Sequence, residues 1–364
     1  MPGRSSSPAH PTASSAIPAP SGLASSCPRS SRTNPAEPDN DQGVPMSPSH
    51  RTVGRRRLAA LALTAAAIAA ALSSCSSSKN SPKINSTGGS GYDAIIQGAP
   101  VASGSDVDAN SWASKIKKQG FLRVGGTDAG PLFSIKDIKT GELTGFDAGL
   151  AQMLSRYITG KKDVQSLTKL TITTVDTRET LLQNHTVDAV FATYTITEER
   201  AKKVDFAGPY YESGDAIMVK KDNNSIKGVE DLNGKKVVTE ADSTAALEIK
   251  KVAPQAKVTL FQNDAECVAA VQQGRAEAYV LDQGILISDA STNKAVKVVG
   301  QPFTKEPYGI GLAKDDPAAK EFVNAWLMKI FANGQWEKLW KATVGTVVTG
   351  PAPPVPSIGS VPGS

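Results

Sequence analysis

The pattern of apolar and polar positions becomes that of a folded protein at Trp112 and stays so to about Gly345. Phe121-Leu122-Arg123-Val124 is a short apolar run ending at Gly125-Gly126-Thr127-Asp128, and it predicts a strand. Phe133-Ser134-Ile135, followed by the turn Thr140-Gly141-Glu142, predicts a hairpin. Leu150, Met153, Leu154, Tyr157 and Ile158 then share one face at helical spacing. Thr171-Ile172-Thr173-Thr174-Val175 is mostly β-branched, fits a pleated surface and predicts a strand. Near the end, Phe322, Ala325, Trp326 and Ile330 form an apolar stripe that stops at Asn333-Gly334. Trp336, Leu339 and Trp340 form a second stripe, and both are read as core packing.

Two stretches repeat one another. Leu182-Gln183-Asn184-His185-Thr186-Val187-Asp188-Ala189-Val190 and Val271-Gln272-Gln273-Gly274-Arg275-Ala276-Glu277-Ala278-Tyr279 each read as a helix end, a polar turn, an acidic residue and an apolar strand. Two similarly built halves explain this most simply. Helices alternate with short strands throughout, so the fold class is α/β.

The flanks differ. Residues 1–50 are rich in Ser, Pro and Ala and carry too little apolar surface to fold. Arg51, Arg55, Arg56 and Arg57 then precede an uncharged run from Leu58 to Leu72, and Ser73, Ser74 and Cys75 follow it. That order of basic region, apolar region and small residues is an export signal. Its apolar run is shorter than the ~20 residues a membrane-spanning helix needs. Leu72-Ser73-Ser74-Cys75 resembles the bacterial lipobox, which implies cleavage before Cys75 and a lipid on its thiol. A leader of ordinary size starts at Met46, so residues 1–45 are expected to be an untranslated or disordered extension and residues 46–74 a lipoprotein signal peptide. Residues 75–111 are expected to be the lipidated Cys and a Gly/Ser-rich flexible tether. Residues 346–364, with Pro351, Pro353, Pro354 and Pro356, are expected to be an extended or disordered tail.

Composition removes several classes of function. The net charge of +5 is mild and the basic residues are scattered, which argues against nucleic acid. There are three histidines, His10, His50 and His185, and two precede the folded part, so a zinc site built from His and Cys is implausible. His185 sits in a turn and is a poor hydrolase base. Cys267 stands alone in the folded part and is read as a small buried hydrophobe. No metal or cofactor is expected.

Four polar clusters follow predicted strands: Asp128, Thr193–Thr197, Ser243-Thr244 and Asp282. Ligands of open α/β sheets bind at the carboxyl ends of strands. Two clusters come from each half, so one ligand between the halves could touch all four. In Thr193-Tyr194-Thr195-Ile196-Thr197-Glu198-Glu199-Arg200, either Thr195 or Thr197 fits as the cap of a helix whose free N–H groups favour an anion. Arg200 is then either a bidentate carboxylate clamp or the ion-pair partner of Glu198 or Glu199.

That stretch continues Ala201-Lys202-Lys203-Val204-Asp205-Phe206-Ala207-Gly208-Pro209-Tyr210-Tyr211. With Gly145-Phe146-Asp147, Glu306-Pro307-Tyr308-Gly309-Ile310-Gly311-Leu312 and Asn333-Gly334-Gln335-Trp336, it resembles the family 3 extracellular solute-binding proteins. These are the substrate-binding lipoproteins of polar amino-acid ABC importers, and the likeness is greatest to the actinobacterial glutamate- and glutamine-binding members. The resemblance spans about residues 112–345. It implies a two-lobed periplasmic-binding-protein-like fold of type II, each lobe a mixed sheet flanked by helices. The first lobe is expected at 112–209 plus 309–345 and the second at 215–303. The crossover segments are expected near Tyr210–Gly214 and Thr304–Tyr308, with closure on the ligand as the mechanism.

The resemblance also assigns a site. Arg200 matches the arginine that holds the ligand α-carboxylate, with Thr193 and Thr195 beside it. Asp282 matches the aspartate that receives the α-ammonium. Ser243 and Thr244 match second-lobe residues that meet the carboxylate. Arg178 matches an arginine of glutamate-type members, and Asp128, Phe133 and Tyr194 are expected as pocket walls. A zwitterion needs both charges met in a dry site, or desolvation erases the gain. Three departures stand out: Asp242 where relatives usually have Gly, Glu240 as an extra carboxylate near the cleft, and Val238 where close relatives carry the cysteine that pairs with the one at position 267. The family disulfide is therefore expected to be absent.

The expected function is capture of a free amino acid, glutamate first, then glutamine, aspartate or asparagine. The expected partners are ABC permease subunits and, through Cys75, the outer face of the cell membrane; the protein is expected to be monomeric and not an enzyme. A sensor for a membrane signalling partner and a cyclohexadienyl dehydratase-like enzyme on the same fold are the alternatives.

Overall fold

Two five-stranded mixed sheets, built on the same plan, organise the computed structural model, which describes residues 91–128 and 130–364. The expected start at Met46, the signal peptide and Cys75 lie outside the described residues. Strands in chain order are β1 (Leu122–Gly126), β2 (Ile135–Lys136), β3 (Leu143–Thr144), β4 (Thr168–Ile172), β5 (Ala189–Phe191), β6 (Asp205–Ser213), β7 (Asp215–Lys220), β8 (Lys236–Glu240), β9 (Lys257–Phe261), β10 (Ala278–Asp282), β11 (Val296–Val299) and β12 (Glu306–Leu312). The first sheet runs β4-β1-β5-β12-β6 and the second β11-β7-β10-β8-β9. In each, three parallel strands (β4-β1-β5, β9-β8-β10) meet an antiparallel strand that has just crossed between the sheets, β12 in the first and β7 in the second. The two crossings pair with each other: β6 and β12 form one antiparallel ladder through Tyr211↔Tyr308 and Ser213↔Glu306.

The repeated stretches have a shared physical basis. Asp188 sits one residue before β5 and accepts the backbone N–H of Arg123 on the adjacent parallel strand at 2.9 Å. Glu277 sits one residue before β10 and accepts the backbone N–H of Lys236 on its adjacent parallel strand at 3.1 Å. Each acid thus satisfies a donor at the start of a parallel strand, where the ladder offers no partner.

The first lobe's core gathers around the helix Phe146–Thr159 and the helix Pro317–Ala332. Trp326, Trp336 and Trp340 are all buried there, as the aromatic stripes predict. Side chains of this size each remove about 150–250 Å² from water, worth roughly 4–6 kcal/mol before entropy is charged against it. The second lobe has a separate core of β-branched and aliphatic residues around β7, β8 and β10. Cys267 is a buried thiol in that core with no disulfide partner among the described residues, and Val238 is also buried in it.

The structure departs from the pattern reading in three places. The expected tether is folded from residue 91 onward: helices Gly91–Gln97 and Gly104–Ala109 pack on the first lobe through buried Ile96 and Val107. Tyr92 donates to the Gly145 carbonyl at 3.0 Å and to Gln152 at 2.9 Å. The Gly/Ser composition hid a few apolar residues at helical spacing. The tail is extended yet packed, because its prolines fix the backbone while Ile358 and Val361 reach apolar clusters of the first lobe. Gly359 N–H donates to the Gly208 carbonyl at 2.9 Å. The strand expected at Thr171–Val175 ends at Ile172, because the Thr177 hydroxyl accepts from Thr174 N–H at 3.0 Å and turns the chain.

Candidate functional site

A cavity of about 260 Å³ lies between the lobes, at the carboxyl ends of the parallel strands. Its first-lobe wall includes Asp128, Arg178, Thr193, Thr195 and Arg200, and its second-lobe wall includes Glu240, Ser243, Thr244, Asp264 and Asp282. Of the ten pocket residues expected from the sequence, Phe133 and Tyr194 do not line it.

Each first-lobe group is set by local chemistry. Thr193, just after β5, has a left-handed backbone (φ 45°), which a threonine adopts only when held. The holder is Asp147, fully buried, which accepts from Thr193 N–H at 2.7 Å and from the Tyr210 hydroxyl at 2.8 Å. Asp147 therefore ties the cavity loop to the crossover strand β6. Thr197, not Thr195, caps the short helix Glu198–Ala201, accepting from Arg200 N–H at 3.2 Å. Thr195 instead bridges to Tyr308, and its carbonyl accepts from Arg200 Nη1 at 2.8 Å. Arg200 Nη2 donates to the Asp242 carbonyl at 3.1 Å, which joins the two lobes. Arg200 pairs with neither Glu198 nor Glu199; Glu199 pairs with Lys202 instead.

Tyr194 lies beneath the wall rather than in it. Its buried ring supports the Arg178 guanidinium at 4.1 Å and the Arg200 guanidinium at 5.2 Å. A cation over an aromatic face gains roughly 1–2 kcal/mol when desolvated. Arg178 is itself buried and donates to the Ala192 carbonyl at 3.0 Å. Burial, then the neighbouring Arg200 charge, pushes its pKa down to about 10. Neither arginine forms an ion pair within 4 Å among the described residues, and both guanidinium groups face the cavity. Phe133 belongs to an aromatic cluster with Phe146, Tyr211 and Tyr308, and its ring leaves no room for a side chain at Gly284.

The second-lobe wall is acidic. Asp282 ends β10 and accepts from the Tyr308 hydroxyl at 2.8 Å, across the crossover. It is the register partner of Asp215, which is fully buried and whose carboxyl oxygens have no hydrogen-bond partner among the described residues. Burial and then Glu306 push Asp282 up to about 7; burial, then Asp282 and Glu306, push Asp215 up to about 9. Ser243 caps the helix Thr244–Val252, accepting from Ala246 N–H at 3.1 Å and donating to the Glu240 carbonyl at 2.7 Å. Its hydroxyl is thus occupied, and the lone N–H groups at that helix start are what it leaves for a ligand anion. Asp242 takes the left-handed conformation (φ 59°), one an Asp tolerates, so the loop keeps a shape natural to the Gly of relatives.

Sequence reasoning missed Asp147 and Asp264. Asp147 acts through partners 46 and 63 residues away, which no local pattern reveals. Asp264 begins the helix Asp264–Gln272 and reads as an ordinary first-turn acid.

A buried acid with a raised pKa holds its proton more tightly in the folded than in the unfolded chain, where carboxyls titrate near about 4. Its contribution is complete below that range and is lost as pH climbs through the folded value. Asp147 (about 6), Asp282 (about 7), Glu240 (about 8), Asp215 and Asp289 (both about 9) all shift this way. Ligand-free protein is therefore expected to lose stability between pH 5 and pH 9. The fall in Tm should reach about 5 °C or more, since 1 kcal/mol moves Tm by roughly 2–4 °C in a chain of this size. Calorimetry that finds a flat or rising Tm over that range would contradict these proton affinities.

The comparisons agree with this architecture. The model of the bacterial extracellular solute-binding proteins, family 3, matches residues 122–345. The glutamine-binding protein of a Bacillus subtilis ABC transporter is 39% identical over 211 residues, 58% of this chain and 76% of that protein. A glutamate-binding protein of Corynebacterium glutamicum is 37% identical over 175 residues, 46% of this chain and 59% of that protein. Among solved structures, an ancestral arginine-binding protein bound to glutamine is 38% identical, with a TM-score of 0.56, and covers 62% of this chain and 98% of that one.

Proposed function

Because the chain belongs to the bacterial extracellular solute-binding proteins, family 3, we propose that its cleft captures one free amino acid of the glutamate and glutamine class by closure of the two lobes. The fold is the two-lobed type II periplasmic-binding-protein fold, and the chain is a solute-binding protein. The observation that carries the ligand reading is the charge layout: Arg200 from the first lobe and Asp282 from the second line one cavity. A zwitterion fitted there meets a cation at its carboxylate and an anion at its ammonium. The assigned cation and anion come from different lobes, so the ligand favours the closed state by its contacts with each. Thr193, Thr195, Ser243, Thr244 and Arg178 complete the assignment, with Asp128 as a wall. Phe133 and Tyr194 act from behind as packing.

Delivery to an ABC permease and attachment to the membrane through a lipid on Cys75 complete the reading. Among the described residues no helix is long and apolar enough to cross a membrane. We read the cleft as binding without turnover, in keeping with relatives named for the amino acid they bind. A panel of the twenty amino acids in a thermal-shift assay tests it. Glutamate, glutamine or a near relative is expected to raise Tm, by mass action about 2.7 kcal/mol of stabilisation at 100-fold excess over Kd. Silence across the whole panel would remove the proposal.

A further inference from the structure

Beyond the two ends of the amino acid, the cavity holds groups that only a ligand side chain can meet. Resting on the amino-acid reading above, we propose that this pocket selects side chains that donate hydrogen bonds, an amide or a cationic nitrogen, over the carboxylate of glutamate, and that Glu240 enforces the choice.

The titratable groups lining the cavity are two cations, Arg178 and Arg200, and four acids, Asp128, Glu240, Asp264 and Asp282. Arg200 and Asp282 are assigned to the α-groups. Of the remainder, Asp128 accepts from Lys136 N–H at 3.0 Å. Arg178 already donates to the Ala192 carbonyl and lies against Tyr194. The second-lobe wall is then left with Glu240 and Asp264. Glu240, at the end of β8, is only 9% exposed, and its carboxyl lines the cavity, with no side-chain hydrogen bond tying it to another described residue. An acceptor that opens only into a sheltered cavity gains most from a donor that the ligand brings. Asp264 has one oxygen taken by the Tyr279 hydroxyl at 2.9 Å, and half-buried Asp289 stands close to it. A glutamate side chain would add another anion to this group inside a site sheltered from water. A primary amide or a guanidinium would instead supply the missing N–H groups. A site built to hydrogen-bond one group rejects an isostere that leaves it unpaired far more strongly than an apolar pocket rejects a change of size.

The preference is tied to pH. The titratable groups facing Glu240 are Asp264, Arg178, Asp282, Asp176 and Asp289, with the Cys267 thiol and the Tyr279 hydroxyl behind it; burial and then Asp264 raise its pKa to about 8, while Arg178 opposes. Protonated Glu240 can donate to a glutamate carboxylate and ionised Glu240 cannot. Discrimination against glutamate therefore grows from pH 6 to pH 9. Glutamate and glutamine share the α-group contacts, so the ratio of their affinities cancels the titration of Asp282.

The test is calorimetric titration of the purified protein and of Glu240→Gln with glutamine, arginine and glutamate at pH 6 and pH 9. At pH 9, glutamine or arginine is expected to bind at least about tenfold more tightly than glutamate, with the ratio at least about threefold smaller at pH 6. Glutamine ahead of arginine identifies the neutral amide as the donor, and the reverse order identifies the cation; both support the proposal. Glu240→Gln, whose amide can itself donate, should narrow the pH 9 ratio by about tenfold and flatten its pH dependence. Tighter binding of glutamate at pH 9, or an unchanged ratio in the variant, overturns the inference and leaves amino-acid capture standing. Absence of binding by all three ligands, with none found among the twenty amino acids, removes both. If Glu240→Gln does not fold, a pH-independent ratio in the unaltered protein overturns the proposal and a pH-dependent one supports it.

Discussion

Arg200→Ala is expected to weaken amino-acid binding by about two to three orders of magnitude, because truncating one partner of a desolvated charge pair costs roughly 2–5 kcal/mol. The variant removes the planar cation opposite the carboxylate and also the bond from Arg200 Nη2 to the Asp242 carbonyl that joins the lobes. Both losses act on the closed state. The fold should survive, since Arg200 is only partly buried and the cap of its helix rests on the Thr197 hydroxyl and the backbone of residue 200. A fall in stability of about 1 kcal/mol or less is expected. Arg200→Lys should lie between, keeping the charge but losing the two-pronged geometry. Arg178, resting on the same Tyr194 ring, is the reason for a residual affinity. Titration of a folded Arg200→Ala protein that retains affinity within about threefold would dismiss Arg200 as the carboxylate clamp.

Asp282→Asn is expected to move binding and stability in opposite directions. Its carboxylate is the proposed seat of the α-ammonium, so affinity should fall by about 100-fold or more on the same energetic grounds. In the ligand-free protein, however, Asp282 is one of three neighbouring buried carboxyls with Asp215 and Glu306. No ion pair with a lysine or arginine relieves them among the described residues. Like charges sharing a dry site raise one another's proton affinity and oppose folding once ionised. Asparagine keeps an oxygen to accept the Tyr308 hydroxyl but removes one charge. The variant should be more stable than the parent at pH 8, by about 1–2 kcal/mol as a typical gain from relieving such a site. That gain should vanish at pH 5, where Asp282 and Asp215 hold their protons, because raised acids destabilise only as pH climbs toward their folded values near 7 and 9. Equal or lower stability at pH 8 would mean that the cluster is not under electrostatic stress.

The two α/β halves were legible because each repeats one local device: an acid before a strand, serving the backbone of its parallel neighbour. Asp188 and Glu277 announce it in the sequence and the structure gives its reason. Arg200, Thr193, Thr195, Asp128, Ser243, Thr244 and Asp282 were legible as neighbours because chain ends of parallel strands gather at one edge. What stayed hidden depends on long-range partners. Asp147 is an unremarkable first-turn acid until Thr193 and Tyr210 arrive from other elements. Tyr194 and Phe133 are aromatic residues beside polar loops, and nothing local says whether such a ring faces the ligand or supports the groups that do. The early helices at residues 91–109 were masked by Gly and Ser, whose abundance outweighed the few buried positions Ile96 and Val107.

The way the crossings are paired sets an order of assembly. β7 through β11 are contiguous in the chain, so every strand of the second sheet is present once residue 299 has been made. The first sheet must wait: β12 lies between β5 and β6, and it is the last strand synthesised. A nascent chain stopped just short of Glu306 therefore holds one sheet with all its strands and another that lacks the strand joining β5 to β6. The half that begins the chain is the half that is finished last.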